Sequence, residues 1–266
     1  MAIAGLARST YYYQVKALAR PDRHAELKTV VKKEFDRNHA RYGYRQIRLV
    51  LLARGWKVSK KLVLKLMRQL GIASKVRRRK KYSSYQGEAG KIAENLLDRQ
   101  FEVDTPDTVY ASDVSEFPVT GRKLYLSPIM DLCDRSIISF TLSTSPTTAF
   151  TTESLARALG DRQFEKKLLV HTDQGFHYRH WSWRNLLAEH GAVQSMSRKG
   201  NCYDNAVMEN FFGQLKTEMF YGERFESVAE LAVAIEDYIA WYNMERRQER
   251  LKGMAPMEYR HYALAV

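Results

Sequence analysis

The sequence predicts a mixed α/β half preceded by an all-helical, strongly basic half, and three observations lead there. Residues 1–100 carry 25 Lys+Arg against 7 Asp+Glu, whereas residues 101–266 carry 18 against 23. Apolar residues between 40 and 71 recur at helical spacing. From residue 108 onward, runs rich in β-branched and aromatic residues appear, first three in succession and then alternating with helical patterns. Strands followed by alternating helix and strand make a mixed sheet with helices on its faces.

Residues 1–39 read as polar helix, with a Tyr11-Tyr12-Tyr13 cluster and a break at Pro21. In the segment HARYGYRQIRLVLLARGWKVSKKLVLKLMRQLGI, Ile47, Val50 and Leu51 share one helical face, and Gly55 stops that helix. Ser59 suits an N-cap for a second helix, on which Val63, Leu66, Met67 and Leu70 recur. Gly71 ends it. Two short amphipathic helices about a Gly-containing turn form a helix-turn-helix-like hairpin. The cations Arg77, Arg78, Arg79, Lys80 and Lys81 follow directly, suited to phosphate contacts that supply affinity without sequence choice. We therefore expect a basic helical DNA-binding region over 1–81 and a turn-rich connector over 82–103. The α/β core is expected over 104–225 and a helical C-terminal segment over 226–266.

In the second half, TVYASDVSEFPV reads as a strand, Thr120-Gly121-Arg122-Lys123 as a turn, and KLYLSPIMDLC and SIISFTLST as two further strands. TTESLARALGD is helical and KLLVHTD is a short buried strand running into a Gly-containing loop. HWSWRNLLAEHG is helical, AVQSMSR is a strand, and two helices complete the pattern in DNAVMENFFGQLKTEMF and SVAELAVAIEDYIAWYN.

Composition bounds the rest. A 266-residue chain with 45% hydrophobic residues can bury a proper core. No apolar run approaches the ~18–20 residues of a membrane span, and the N-terminus lacks a signal peptide's order of regions. The expectation is a bacterial cytoplasmic, nucleoid-associated protein with no membrane partner. The two cysteines, Cys133 and Cys202, have no second Cys at metal spacing, which argues against a disulfide framework and a zinc site. A net charge of +13 concentrated in the first half points to a polyanionic partner.

Three acids stand out. Asp113 interrupts an otherwise apolar strand, where a carboxylate is costly unless bonded or bound to metal. Asp173 follows Leu168-Leu169-Val170, where a buried strand emerges, and strand ends are where α/β sheets build sites. Glu209 lies on a helix whose same face carries Asn205, Phe212, Gly213 and Lys216. Two Asp and one Glu suit hard, oxygen-preferring ions such as Mg²⁺, and two such ions would clamp an in-line phosphoryl transfer.

At this point the motifs resemble a known family. GLARSTYYY (5–13), RYGYRQI (41–47), VYASDVSEF (109–117), HTDQGFHY (171–178), SMSRKGNCYDNAVMENFFGQLKTE (195–218) and YNMERRQERLKGMAPMEY (242–259) are similar to motifs of the second-frame protein of IS3-family insertion-sequence transposases, near the IS150 branch. Thirty-five residues separate Asp173 from Glu209, as in that family. The resemblance implies a ribonuclease H-like (retroviral integrase-like) core with a mixed five-stranded sheet, preceded by the all-α helix-turn-helix-like region. It implies that Asp113, Asp173 and Glu209 are catalytic and hold two Mg²⁺ ions, with Mn²⁺ able to substitute. It further implies double-stranded DNA as partner (terminal repeats and target), the first-frame protein (OrfA) as fusion or partner, and a homo-oligomer on DNA. Lys216 would touch terminal DNA. The family more often has Trp-x-Thr-Asp where this chain has Tyr110-Ala111-Ser112-Asp113, a change that keeps an aromatic and a hydroxyl.

Other residues are read from their own surroundings. Asn205, Arg198 and Lys199 sit in or before a helix start, where amides and cations suit phosphate. His177 is expected to be packed or hydrogen-bonded, and Trp181, Trp183 and Trp241 to be core or subunit contacts. Arg246, Arg247 and Arg250 either bind DNA or face water. The reading is a transposase that cleaves element ends and joins them to target DNA. The alternatives are a catalytically silent DNA-binding regulator from an incomplete element and, more remotely, a nuclease acting on RNA in hybrids.

Overall fold

The computed structural model describes residues 7–18, 20–75, 93–160, 164, 166–198 and 202–265. Two compact units divide between Ser74 and Lys75.

The first unit is wholly helical: α1 (Arg8–Leu18), α2 (Ala25–Arg37), α3 (Tyr44–Ala53) and α4 (Lys60–Gln69). Pro21 falls between α1 and α2, where a residue without an N–H does least harm. The hairpin expected over 40–71 is α3 and α4. Ile47, Val50 and Leu51 of α3 and Val63, Leu66 and Met67 of α4 are buried, as their spacing requires, with Leu27, Val31 and Phe35 of α2 completing the core. Ser59 caps α4 by accepting from the Leu62 amide at 3.1 Å. Glu34 is buried on α2 and pairs with Arg54 beyond α3, and Arg48 Nε donates to the Val58 carbonyl at 3.0 Å, so the turn is held by charge as well as packing. The run Arg77, Arg78, Arg79, Lys80, Lys81 lies outside the described residues, as does the first half of the connector expected over 82–103.

The second unit is built on a mixed sheet. Its strands are β1 (Val109–Ser112), β2 (Ser115–Val119), β3 (Arg122–Asp131), β4 (Ile137–Ser143), β5 (Leu169–Thr172) and β6 (Val193–Met196). β2 and β3 form a hairpin closed by Thr120-Gly121, both at positive φ, as a two-residue turn demands; Arg122 and Lys123, expected in the turn, already belong to β3. β4 pairs antiparallel with β3, β1 antiparallel with β3 and parallel with β5, and β5 parallel with β6. β1 and β2 hold one unbroken register on β3, from Tyr110 opposite Asp131 to Val119 opposite Arg122. The sheet therefore has six strands where five were expected, because the single first strand expected over TVYASDVSEFPV is interrupted at Asp113-Val114 and counts as two.

The interruption has a local cause. Leu132 donates to the Val109 carbonyl, and antiparallel alternation carries that hydrogen-bonded pairing to residue 128 opposite residue 113. Residue 128 is proline and has no N–H to give. The ladder lapses at Asp113.

Helices cover both faces. α5 (Thr148–Leu159) and α7 (Trp181–Glu189) bury Leu155, Ala158, Leu159, Trp183 and Leu187 against Tyr110, Ile129, Val170 and Met196. α6 (Phe176–Arg179) is a single turn between β5 and α7. α8 (Ala206–Leu215) and α9 (Val228–Met244) carry the opposite layer, where Phe211 and Tyr242 meet edge to face at 5.1 Å. Asn243 fastens α9 to β4 by exchanging two hydrogen bonds with the Ile137 backbone, at 2.8 and 2.9 Å. α10 (Pro256–Leu264) inserts Arg260 among Asp107, Asp131 and Asp134. The segment 226–266 thus packs on the sheet itself. Among the described residues, no helix is long and apolar enough to cross a membrane.

Candidate active site

β1 and β5 run side by side, with Val109 opposite Leu169 and Ala111 opposite His171. Two residues further, the same register sets Asp113 opposite Asp173, each just past the end of its strand. Adjacent strands lie about 4.8 Å apart. Period-two alternation then fixes the face: Tyr110 and Val170 point into the α5–α7 core, so Ala111, His171 and both aspartates point towards α8.

Each aspartate is held by its own backbone. Asp113 Oδ1 accepts from the Val114 amide at 2.7 Å, and Asp173 Oδ1 from the Gly175 amide at 2.8 Å. Gly175 has to be small, because a Cβ there would stand 2.8 Å from Asp173 Oδ1. Beneath them, buried Tyr178 places its hydroxyl 3.3 Å from Ser112 Oγ, tying the end of β1 to α6.

Glu209, in the first turn of α8, faces the pair. Burial raises the Asp113 carboxyl well above the ordinary carboxylate range, and the charges of Asp173 and then Glu209 push it further; the Val114 amide and Lys216 pull the other way. Burial likewise raises Asp173, against the Gly175 amide, His177 and Arg179. Lys216 stands where α8 widens into a π-helical turn, Lys216–Phe220, with its Nζ 4.9 Å from the Phe117 ring centroid. The structure therefore brings Asp113, Asp173, Glu209 and Lys216 to one face. Among the described residues, no three acidic, histidine or cysteine side chains surround a single point closely enough to hold an ion as they stand. The donor set nevertheless fits a divalent cation: it consists of carboxylate oxygens, crowded and half-buried, whose repulsion a hard cation would relieve.

Neighbouring histidines do structural work. His171 is buried between Ser195 Oγ and the Asp204 carbonyl, both at 2.9 Å, and burial pushes it down to about 4. His177 Nε2 lies 2.9 Å from the Pro146 carbonyl, the hydrogen-bonded role expected of it.

Some expectations need correcting. Arg198, expected to meet DNA, bonds Asp204 through its Nε at 3.0 Å and Asp98 through its Nη2 at 2.7 Å, while its side chain stays 52% exposed. Asp204 also accepts from Asn95 and Arg99; burial would raise its pKa, yet Arg198 and Arg99 hold it down to about 2. This acid, which sequence reasoning passed over, organises the loop before α8. Asn205 is mostly buried at the start of α8 and makes no side-chain cap. Lys199 lies outside the described residues. Arg246 neither meets solvent nor is open to DNA: it is buried against Glu218, at 2.7 Å. Trp183 and Trp241 are buried in the core, and Trp181, 61% exposed, is left as a candidate for the subunit contact expected as the alternative.

Two Integrase core domain family models match residues 104–202 and 209–264, and an HTH-like domain model matches residues 22–80. The chain is 43% identical over 258 residues to the putative transposase InsK for insertion sequence element IS150 of Escherichia coli (strain K12), covering 97% of this chain and 91% of that protein. It is 32% identical over 238 residues to the transposase InsF for insertion sequence IS3A of the same organism, covering 89% and 83%. A chain in the cryo-EM structure of the simian T-cell lymphotropic virus intasome, with PP2A regulatory subunit B56 gamma, superposes with a TM-score of 0.51 at 14% identity. That likeness covers 87% of this chain and 74% of the other, and it shows the ribonuclease H-like fold of the integrase core.

Proposed function

The chain belongs to the IS3 family of insertion-sequence transposases, and from that premise we propose that Asp113, Asp173 and Glu209 are the carboxylates with which it cuts element ends and joins them to target DNA. The observation that carries the assignment is the β1–β5 register, which lays Asp113 beside Asp173 on the face that α8 covers. The protein is a DNA transposase, a polynucleotidyl transferase with an integrase core.

Mg²⁺ is the ion that best suits these donors, with Mn²⁺ as a substitute. When bound, a pair of such ions supplies a Lewis acid to the attacking and leaving oxygens of an in-line displacement. The chain's own residues prepare the site. The amides of Val114 and Gly175 fix the rotamers of the two aspartates. Tyr178 and Ser112 tie the end of β1 to α6, so the carboxylates, each one residue past its strand, hang from an anchored strand end. Lys216 offers the cation that meets a DNA phosphate next to the reacting bond, with Phe117 under its ammonium. His177 is committed to Pro146 and carries no proton in the reaction. The α3–α4 hairpin grips duplex DNA, the first-frame protein joins as fusion or partner, and the active species is a homo-oligomer on the element ends.

The test is cleavage and strand transfer on the element's terminal DNA with Mg²⁺, comparing wild type with Glu209→Gln, with and without the fused first-frame protein. Joined product from wild type alone, with DNA binding intact in the variant, supports the assignment. Equal product from both removes Glu209 from it. Binding without product from either favours the regulator.

A further inference from the structure

We propose that a pocket on the far side of α8 from Glu209, built around Arg135, binds a phosphate group of the DNA backbone. The inference rests on the reading above that the chain processes DNA, but it uses none of the three acids.

The pocket has a volume of about 390 Å³, and Arg135, Arg250, Asn210, Gln214 and Phe101 are among the residues that line it. At about 100° per residue, the α8 residues that line it centre about 130° around the helix from Glu209. Arg135 is 5% exposed. One of its terminal nitrogens, Nη2, donates to the Phe101 carbonyl at 2.8 Å; the other, Nη1, is buried and has no hydrogen-bond partner among the described residues. Arg250 Nη2 leans on the same carbonyl at 3.3 Å. Two guanidinium groups thus share one neutral oxygen.

A buried donor of a charged group left unpaired costs free energy on the order of 1–3 kcal/mol or more. Burial and the charge of Arg250 together pull Arg135 down to about 10, so the pair is under strain that an anion would relieve. The nearby carboxylates are committed or badly placed. Asp131 is bonded to Arg260, and Asp204 is satisfied by Arg99 and Arg198. Only Glu102 joins the lining as an acid.

Phosphate is the anion that fits. A guanidinium fork matches its oxygens in pairs, and the amides of Asn210 and Gln214 add neutral donors. Arg250 and Asn210 are exposed, so the mouth admits a group that remains attached to a polymer. A helix with its side chains is about 10–12 Å across, roughly three base-pair rises of ~3.4 Å. A strand engaged at Glu209 would therefore offer the pocket a phosphate a few nucleotides away.

The experiment measures binding of the full chain to the element's terminal duplex across a salt series, for wild type, Arg135→Gln, Arg250→Gln and Glu209→Gln. Losing one phosphate contact should lower the slope of log K against log salt by about 0.9 in either arginine variant and leave it unchanged in Glu209→Gln. A scan of single methylphosphonate linkages should find one position that weakens wild type several-fold and leaves Arg250→Gln unaffected. Inorganic phosphate and a free mononucleotide, titrated separately, form the control arm. Wild-type slopes in both arginine variants overturn the proposal. So does saturable, Arg135-dependent binding of free phosphate with no sensitive position in the DNA. If Arg135→Gln does not fold, Arg250→Gln and the linkage scan decide. Loss of strand transfer in Glu209→Gln with normal salt slopes everywhere would sustain the carboxylate assignment while refuting this one.

Discussion

Replacing Arg260 by Leu should destabilise the catalytic unit by an amount that depends on pH in a specified direction. The Arg260 side chain is 9% exposed, and its Nη1 lies 2.9 Å from both Asp131 and Asp134, whose side chains are 0% exposed. Its Nη2 bonds Asp107. Burial opposes the guanidinium charge, but the three carboxylates outweigh that and keep its pKa above the ordinary value. Removing one side of a buried ion pair typically costs about 3–5 kcal/mol, because the partner charge is left uncompensated. At about 2–4 °C per kcal/mol for a protein of this size, the melting temperature should fall by roughly 6–20 °C near neutral pH. Burial first, then the neighbouring Asp134, already raise Asp131 to about 6. A carboxyl raised in the folded state stabilises below its unfolded value, and that contribution is lost as pH rises through the folded value. Without Arg260 the Asp131 pKa climbs further, so the folded variant takes up a proton at a higher pH than wild type does. The deficit should therefore be largest near pH 8 and shrink towards pH 5. Denaturant melts of both proteins at the two pH values measure it. A deficit that is constant, or that grows on acidification, would refute the reasoning.

Three further outcomes follow from the same structure. Asp113→Asn removes a carboxylate whose charge burial and Asp173 penalise, so the metal-free variant should be more stable at pH 7–8 by ~0.5–2 kcal/mol, as is common when strained functional sites are relaxed. The gain should vanish on acidification as wild-type Asp113 protonates, and thermal shift by Mg²⁺ or Mn²⁺ should shrink; a destabilised variant at pH 8 would count against the crowding argument. Gly175→Ala puts a Cβ 2.8 Å from Asp173 Oδ1 at an ordinary backbone conformation, so strand transfer should fall by about 10–100-fold while the melting temperature barely moves. Ser59→Ala removes the cap of α4 and should cost ~1 kcal/mol, read by denaturant melts, with weaker duplex binding.

What the sequence made legible follows from the range of the interactions involved. The α3–α4 hairpin was readable because helical spacing, a Ser cap and two glycines are local signals, and Ser59 and Gly71 sit where those signals place them. The strand ends at Asp113 and Asp173 were readable from apolar runs that stop at an acid. What put those acids together was not: the β1–β5 register joins residues 60 positions apart, and no local pattern encodes it. The same limit explains the arginines. Arg198 looked unpaired because Asp98 comes from 100 positions away and Asp204 from across the loop before α8, and Arg246 looked exposed because Glu218 reaches it from the turn after α8. Trp181 and Trp183 differ by two positions on one short helix, enough to send one outward and the other into the core. Proline supplied one signal that could have been used, since Pro128 in a strand interior foretells a ladder break on its neighbour.

That break bears on why the site is built here. A strand that kept its ladder through Asp113 would fix the aspartate's backbone on both sides and leave its carboxylate only the choice of rotamer. Pro128 leaves the Asp113 carbonyl without its donor on β3, and the Asp113 side chain takes up the Val114 amide, which the strand's alternation points away from β3. Asp173 does the same with the Gly175 amide one strand away. Both carboxylates are therefore oriented by amides two bonds or one turn from their own Cα, before any ion or DNA arrives. The fold spends stability on this arrangement, since burial and mutual repulsion raise both acids. It recovers part of that from buried contacts on both faces: Tyr178 and Ser112 beneath the strand ends tie β1 to α6, and the neutral His171 on the α8 side ties β5 to Ser195 of β6 and to the Asp204 carbonyl. Repulsion that cannot be relieved by moving apart can be relieved only by protonation or by a cation, and at neutral pH the second is what a phosphoryl-transfer site requires.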